Sequence, residues 1–248
     1  ELVELAKKNN LMLGVAFQNR MNPAIECLHE AVRKNRFGKI ITATVRLRWC
    51  RFQDYYDDGW HGTWQSDGGV INQQAIHHVD ALNWLIGPVH SVCASMETRI
   101  NSLEAEDTMV ALARFKNGAL GTIEATTAAR PKDIEASLSV VGEKGTAVIG
   151  GIGLNKIETW DFVDAEVGDE TAPVLYSQEI SNGYGLSHGP LLQSTINLLK
   201  NGVKVAPIAV EKTISTNELI HALYKSVEIN NWVYLSDKPI SAKLGEDS

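Results

Sequence analysis

Short runs in the middle of the chain alternate between apolar and polar residues, which is typical of β-strands with one face against a core. Residues 108–115 and 120–127 flank Asn117-Gly118, a dipeptide that favours a tight hairpin turn. The pattern therefore predicts an antiparallel meander joined by hairpins. The predicted strands cover residues 40–49, 89–99, 108–115, 120–127, 134–141, 146–149 and 155–160.

Apolar residues at helical spacing predict helices before and after these strands. Pro23 suits the first turn of one helix and Asn22 is placed to cap it, while Gly87-Pro88 ends another. The predicted helices cover residues 23–34, 70–86, 189–201 and 210–230. Together these elements predict an α+β fold, an open and mainly antiparallel sheet with helices on one face. Because the other face carries apolar residues, we expect a homodimer or homotetramer that assembles through it.

The beginning of the chain follows a different pattern. Residues 1–10 resemble the last turns of an amphipathic helix, and residues 11–17 form a continuous apolar run. Such a run is typical of a parallel strand that helices cover on both faces. We therefore expect residues 1–17 to be the last helix and strand of a Rossmann-type dinucleotide-binding domain whose earlier part precedes Glu1. Residues 18–248 would then form a domain for substrate binding, catalysis and oligomerisation.

Composition narrows the range of partners. The chain has 248 residues and a net charge of −7, without a cluster of Lys and Arg, which argues against nucleic acid as a partner. No apolar run reaches the ~20 residues that a membrane-spanning helix needs, so we expect no membrane association. The three cysteines, Cys27, Cys50 and Cys93, lack the spacing of a zinc site or a disulfide framework, which predicts reduced thiols in a cytoplasmic protein.

The candidate chemistry concentrates in residues 60–80, where an aromatic loop leads into a predicted helix. On that helix Gln73, His77 and Asp80 lie at spacings of four and three, so that an amide, an imidazole and a carboxylate share one edge. An imidazole that titrates near neutral pH can take a proton from a sugar hydroxyl, which makes His77 the candidate base. The alternative is that His77 is a half-buried histidine with satisfied hydrogen bonds and that Asp80 is a surface acid. His78 points about 100° away around the helix, and we interpret it as such a structural histidine.

Three other segments carry side chains that could bind a substrate, each with a structural alternative. Arg20 and Asn22 follow the apolar run, where ligands gather in α/β sheets, although a helix-capping loop would look the same. Trp60 and Trp64 could stack on a sugar ring or fill the space under the loop. His188 precedes a helix N-terminus, where it could meet a hydroxyl or phosphate or be an ordinary loop residue.

Residues 66–87, SDGGVINQQAIHHVDALNWLIG, resemble the signature helix of the glucose–fructose oxidoreductase/inositol dehydrogenase (Gfo/Idh/MocA) family, in which a Gly-rich turn precedes a GxHxxD motif. Further pieces follow the order of the family: Arg-x-x-Pro at 20–23, Trp-x-Gly-Thr-Trp at 60–64, the Asn-Gly hairpin, and Ser-His-Gly-Pro at 187–190. The resemblance covers essentially the whole chain. Its specificity comes from the ordered set rather than from any single motif.

The resemblance implies a two-domain oxidoreductase in which an N-terminal Rossmann domain binds NAD or NADP and this domain binds the substrate. It implies that His77 lies beside the nicotinamide and the reacting carbon. We expect Gln18 and Gln73 to contact the cofactor. In the family, a lysine of a Glu-Lys-Pro motif shares the role of the base, and that motif would precede Glu1. Two residues depart from the family pattern. Gln73 stands where many members have Asp; because an amide cannot relay a proton, we expect it to hydrogen-bond the substrate or the nicotinamide. Ala75 replaces the usual Gly.

We therefore predict the substrate domain of an NAD(P)-dependent oxidoreductase, which transfers a hydride between a nicotinamide and a secondary alcohol of a sugar, polyol or nucleotide sugar. This chain alone would be inactive because the cofactor domain is missing from it. The alternative is a sugar-binding or assembly module of the same fold without catalysis, which Gln73 in place of an acid favours. A metal site built from His61, His77, His78 and Asp80 is disfavoured, because adjacent histidines on a helix point in different directions, and we predict no metal.

Overall fold

One sheet of eight strands is the frame of the computed structural model, which describes residues 1–246. Its strands are β1 (Ile40–Arg48), β2 (Val89–Glu97), β3 (Thr108–Phe115), β4 (Leu120–Thr126), β5 (Glu135–Gly142), β6 (Gly145–Gly150), β7 (Lys156–Phe162) and β8 (Val233–Tyr234). They lie in the order β7-β6-β5-β1-β4-β3-β2-β8. β1 and β4 are parallel, and the other neighbouring pairs of described strands are antiparallel. The predicted open, mainly antiparallel sheet is therefore confirmed.

The alternation that predicts the strands also decides which face of the sheet is buried. In β3, Met109 and Ala111 are at most 2% exposed, whereas Val110 and Leu112 are each 52% exposed. β3 and β4 are joined at the predicted turn, where Gly118 adopts a φ of 92° that other residues rarely take. The hairpin and its register thus follow from local sequence.

Helices pack on the buried face, as predicted. Within residues 1–246 the helices are α1 (Leu2–Lys8), α2 (Pro23–Arg33), α3 (Ile76–Ile86), α4 (Ala172–Leu175), α5 (His188–Lys200) and α6 (Ile214–Ile229). α3 packs against β1 and α6 packs against β2, and the core contains fully buried Leu82, Ile123 and Leu223. Each such side chain contributes about 1.5–3 kcal/mol through its burial. This packing fixes α3, the helix that carries His77, against the sheet.

Residues 11–17 do not form the predicted strand. Their ladder contacts are one isolated bridge, between Gly14 and Ala209, and a hydrogen bond from Val15 N to Ile208 O. A strand needs neighbouring strands along its length to pair its backbone groups. In the described chain only this short stretch pairs with the segment, so the apolar run stays irregular.

Two predicted helices begin later than expected. α3 begins at Ile76 instead of residue 70, because Glu106 holds the preceding turn: its main-chain oxygen accepts from Val70 N and its side-chain Oε1 accepts from Ile71 N. Gln73 therefore lies on a turn and not on the helix of the candidate base. α6 likewise begins after a short 3₁₀ turn.

The second face of the sheet leaves an apolar patch on the surface. Leu112 and Leu120 lie on it with 52% and 56% of their surface exposed, beside Trp232, Thr42 and Thr44. The homodimer or homotetramer expected to form through this face stays a prediction.

Helix length, possible metal ligands and the state of the cysteines can also be compared with the predictions. Every helix within residues 1–246 is too short or too polar to cross a bilayer. In the same part of the chain, no three His, Cys, Asp or Glu side chains are grouped as metal ligands would be. Cys27, Cys50 and Cys93 are free thiols. The cytoplasmic location stays a prediction.

Candidate active site

A cavity of about 320 Å³ opens beside α3, where five segments meet. Its walls come from the 3₁₀ helix Gln18–Met21, the loop after β1, the turn before α3 with the first residues of that helix, the loop before β5, and the loop that leads into α5. Four residues predicted to form the site line it: Gln18, Gln73, His77 and His188. Gln18, the neighbouring Gln73 and His77, and His188 come from three distant parts of the sequence, so the fold brings them together. Their individual roles stay predictions.

His77 lies in the first turn of α3 and lines this cavity. Its Nδ1 is buried without a hydrogen-bond partner among residues 1–246, and its ring meets that of Phe17 edge-on, with 5.6 Å between centroids. Burial lowers the pKa of His77 because it disfavours the charged ring; Asp80 opposes this shift and His188 adds to it. The ring is therefore neutral at neutral pH and can accept a proton. A histidine with satisfied hydrogen bonds, the structural alternative, is not what the structure shows.

Gln73 is tied to the wall of the cavity through Tyr55. Gln73 Nε2 donates to the Tyr55 hydroxyl at 2.9 Å, which leaves the hydroxyl proton available to a ligand. Burial is the main reason why the pKa of Tyr55 is raised, so this hydroxyl keeps its proton at neutral pH. The Tyr55 ring is itself held against His61, with 4.1 Å between centroids. The two residues together form a fixed hydrogen-bonding group at the cavity.

Buried polar atoms in the cavity wall lack partners within residues 1–246. Gln18 Oε1 accepts no hydrogen bond, and neither ring nitrogen of His78 has a partner. Burial and the neighbouring His77 lower the pKa of His78 to about 3, and the backbone of Gln74 opposes the shift. His78 is buried as predicted, yet its hydrogen bonds are not satisfied. Because an unpaired buried polar group costs about 1–3 kcal/mol, these atoms favour a ligand that supplies the missing partners.

Arg20 and Asp80 form a buried ion pair outside the cavity. Arg20 Nε and Nη2 donate to the two carboxylate oxygens at 2.7 Å each, and Thr216 Oγ1 donates to the same carboxylate at 2.8 Å. The guanidinium lies 5.1 Å from the ring centre of Trp84. Asp80 is therefore not a surface acid, and Arg20 does not make the predicted contact with the substrate cavity. The pair instead joins the 3₁₀ helix to α3 and α6.

Asn22 also has a structural role in place of the predicted contact with substrate. It occupies the N-cap position of α2, yet its side chain does not cap the helix. Its Nδ2 donates to Gly153 O at 2.9 Å and to Leu154 O at 3.3 Å, and its Oδ1 accepts from Ser187 Oγ. The side chain therefore joins the start of α2 to the β6–β7 turn and to the residue before His188.

The two tryptophans of the aromatic loop do not line the cavity. Trp60 is 47% exposed and lies over His61, with 3.7 Å between ring centroids. Trp64 packs edge-on against Tyr224 at 5.2 Å and contacts the main core. For Trp64 this arrangement matches the aromatic plug considered as the alternative. Tyr55, from the same loop, supplies an aromatic ring at the cavity instead.

The sequence patterns miss the charged side chains of the cavity wall. Arg51 Nη1 donates to Cys50 O at 2.7 Å and to Asp133 Oδ1 at 3.3 Å, and the same carboxylate oxygen accepts from Cys50 N. Arg51 lies in the loop after β1, and nothing local indicates that Asp133 reaches it from the loop before β5. Tyr184, from the loop before α5, also lines the cavity without a sequence signal.

Fold and cavity together define a class of protein: an open sheet that carries on its helical side a histidine-lined cavity for a small polar ligand. The sequence profile described as the GFO/IDH/MocA C-terminal domain matches residues 25–148. The chain belongs to this family of oxidoreductases, and the resemblance of its motifs is confirmed.

Solved structures and curated proteins of the family match well beyond this profile. The WlbA dehydrogenase of Bordetella pertussis, in complex with NADH and UDP-GlcNAcA, is 33% identical, with a TM-score of 0.83 over 94% of this chain and 66% of that one. The WlbA dehydrogenase of Chromobacterium violaceum is 34% identical, with a TM-score of 0.85 over the same shares. The myo-inositol 2-dehydrogenase of Thermotoga maritima is 28% identical over 71% of this chain and 51% of its own length. The levoglucosan dehydrogenase of Pseudarthrobacter phenanthrenivorans is 23% identical over 59% of this chain and 44% of its own length. The chain thus spans about half the length of these curated relatives.

Proposed function

We propose that this chain is the substrate-binding and catalytic part of an NAD(P)-dependent oxidoreductase that acts on a secondary alcohol of a sugar, polyol or nucleotide sugar. The observation that carries the proposal is the neutral imidazole of His77, whose Nδ1 has no partner in residues 1–246, in the wall of a polar cavity. The proposal includes the division into residues 18–248, which bind and convert the substrate, and residues 1–17, which belong with a dinucleotide-binding domain.

The relatives support this class of substrate. The WlbA dehydrogenases are in complex with NADH and UDP-GlcNAcA, and two curated relatives are named for myo-inositol and levoglucosan. All three ligands carry several hydroxyls on a ring. The cavity offers matching donors and acceptors, namely the amides of Asn19, Gln73 and Gln74, the hydroxyl of Tyr55 and the imidazole of His188.

The cavity wall fits the carboxamide of a nicotinamide. Gln18 Oε1 is a buried acceptor without a donor in residues 1–246, and a carboxamide NH₂ would satisfy it. Gln18 would then hold this group, and Gln73 would contact the cofactor or the substrate. When bound, the nicotinamide supplies the acceptor for the hydride that leaves the carbinol carbon. NAD and NADP share this part of the molecule and fit equally.

The residues of the chain handle the proton and the orientation of the substrate. Oxidation of a secondary alcohol to a ketone removes a hydride from carbon and a proton from oxygen, so a base must lie at the hydroxyl. His77 can take that proton because burial keeps its ring neutral. Tyr55 and Gln73 bind neighbouring hydroxyls and hold the sugar ring in one orientation.

The test uses the intact protein with NAD or NADP and a panel of sugars, polyols and nucleotide sugars, followed by the absorbance of the reduced nicotinamide. We expect reduction with at least one substrate, and we expect His77→Ala to lose turnover while it keeps sugar binding. The alternative function, a sugar-binding or assembly module without catalysis, is favoured by the Gln73 amide, which is bonded to Tyr55 and cannot relay a proton. Sugar binding without reduction of either cofactor across the panel would support that module and refute the enzyme.

A further inference from the structure

One permanently charged cation, Arg51, lines the cavity among the residues that the structure describes. Its side chain is 20% exposed, so most of it is buried in the cavity wall. Within residues 1–246 only Nη1 of the guanidinium is used, to donate to Cys50 O at 2.7 Å and to Asp133 Oδ1 at 3.3 Å. Nε and Nη2 have no acceptor there. A guanidinium in a cavity wall with unused N–H groups favours an anion as its ligand.

Two aromatic rings hold this guanidinium in place. Arg51 Cζ lies 5.2 Å from the ring centre of Trp49 and 5.5 Å from that of Tyr55. Contacts of this kind stabilise the cation and leave its edge free for hydrogen bonds. Because Cys50 O also fixes Nη1, the planar group is oriented before a ligand binds, which lowers the entropy lost on binding.

Asp133 pairs only weakly with Arg51. Its Oδ1 accepts from Cys50 N at 2.7 Å, whereas its contact with Arg51 Nη1 is longer, 3.3 Å, and involves one N–H group. In the bidentate Arg20–Asp80 pair, by comparison, both carboxylate oxygens accept from the guanidinium at 2.7 Å. A carboxylate that accepts two parallel N–H bonds from Arg51, at about 2.7–2.9 Å, would be a stronger partner than Asp133 is.

We propose that Arg51 binds the carboxylate of an acidic sugar, so that the substrate is a sugar acid, either free or linked to a nucleotide. The cavity of about 320 Å³ contains both Arg51 and His77, and it is near the lower end of the size range of small-molecule sites. A single sugar unit therefore meets both residues, and the carboxylate belongs to the ring whose alcohol reacts. This inference rests on the proposed function and adds the charge of the substrate to it.

Equilibrium binding to the intact protein in the presence of NADH tests the inference. Two ligand pairs are compared, glucuronate with glucose and UDP-glucuronate with UDP-glucose, in which a carboxylate replaces a hydroxymethyl group. We expect the acid to bind about 10- to 100-fold more tightly than its neutral counterpart in at least one pair. Arg51→Gln should abolish this preference by weakening only the acid. Arg51→Lys should keep part of it, because the charge remains while the planar fork is lost.

Arg33→Gln is the matched control, since it removes an exposed arginine that pairs with Glu30 on α2, and it should leave the preference unchanged. Equal affinity for both members of each pair would overturn the inference, as would an Arg51→Gln loss that is the same for acid and neutral ligands. Tighter, Arg51-dependent binding of glucose 6-phosphate than of glucuronate would overturn the carboxylate in favour of a phosphate. Thermal unfolding checks that each variant is folded, and Arg51→Lys carries the test if Arg51→Gln is not.

The proposed function can fail independently of this inference. Arg51-dependent selection of the acid, without reduction of NAD or NADP by any substrate, would refute the enzyme and retain the acidic ligand. Turnover of neutral sugars without a preference for acids would refute the role of Arg51 and retain the enzyme.

Discussion

The buried ion pair between Arg20 and Asp80 predicts a large loss of stability for Asp80→Asn. The two side chains are 7% and 1% exposed, and two hydrogen bonds of 2.7 Å join them. The substitution leaves the Arg20 guanidinium buried without a counter-charge, a change that costs about 3–5 kcal/mol in proteins. For a chain of this size, that loss corresponds to a fall in Tm of roughly 6–20 °C.

The chain contains a matched control on α2. Glu30 and Arg33 form the same arrangement of two hydrogen bonds at 2.8 Å, yet their side chains are 44% and 65% exposed. Because solvent screens such a pair, Glu30→Gln should cost far less stability than Asp80→Asn. Both substitutions convert a carboxylate into an amide of nearly equal volume, so the difference between the two losses measures the effect of burial.

Urea unfolding, followed by circular dichroism and tryptophan fluorescence, gives the free energy of unfolding of each variant. A double variant, Arg20→Met with Asp80→Leu, should recover much of the loss because no unpaired charge remains in the interior. A loss for Asp80→Asn no larger than the loss for Glu30→Gln would contradict the burial of the Arg20–Asp80 pair, which would then be as well solvated as the pair on the surface.

Three further predictions concern stability and assembly. Burial raises the pKa of Glu106 to about 8 from 4.5, so this carboxyl stabilises the fold while protonated, and the stabilisation is lost as the pH rises from about 4.5 through about 8. Urea unfolding of Glu106→Gln, which stays neutral, should therefore show a stability relative to wild type that increases over this range, and a constant difference would contradict the assignment. A Cβ at Gly69 would collide with the carboxyl group and the main-chain carbonyl of Glu106, so Gly69→Ala should lower the free energy of unfolding by about 1–3 kcal/mol. A Cβ at Gly189 meets open space, so Gly189→Ala should leave the stability unchanged. Equal thermal stability of the two variants would contradict this packing. Leu112→Asp on the exposed sheet face should shift an oligomer towards monomer in sedimentation, and unchanged assembly would place the interface elsewhere.

Local sequence predicts most of the sheet, because strand alternation and turn residues are visible within a few positions of the chain. Alternation places Met109 inside and Leu112 outside, and Asn117-Gly118 fixes the hairpin between β3 and β4. The start of α3 is wrong by six residues because its cause lies far away in the sequence, where Glu106 takes the N–H groups of the preceding turn. Residues 11–17 are apolar enough for a strand, but a strand also needs partners, which the pattern of one segment does not contain.

The candidate site divides in the same way. The segment with Gln73 and His77 leads to the cavity, because it takes its place in the ordered set of motifs that resembles the family. The ion pair of Arg20 with Asp80 and the contact of Arg51 with Asp133 join residues more than fifty positions apart, so neither could be predicted from spacing. A charged residue can bind a ligand or form an ion pair within the fold, and its own segment of sequence does not show which partner it has.

The most direct test of the central claim is the rate of hydride transfer in a single turnover of the intact protein, measured for wild type and His77→Gln with a substrate identified in the sugar panel. We expect a fall of at least about 100-fold, the contribution of a general base, with the substrate Kd little changed. His90→Gln, which alters an exposed histidine on β2, should leave the rate unchanged. A His77→Gln rate equal to that of wild type would contradict the claim that this imidazole takes the proton.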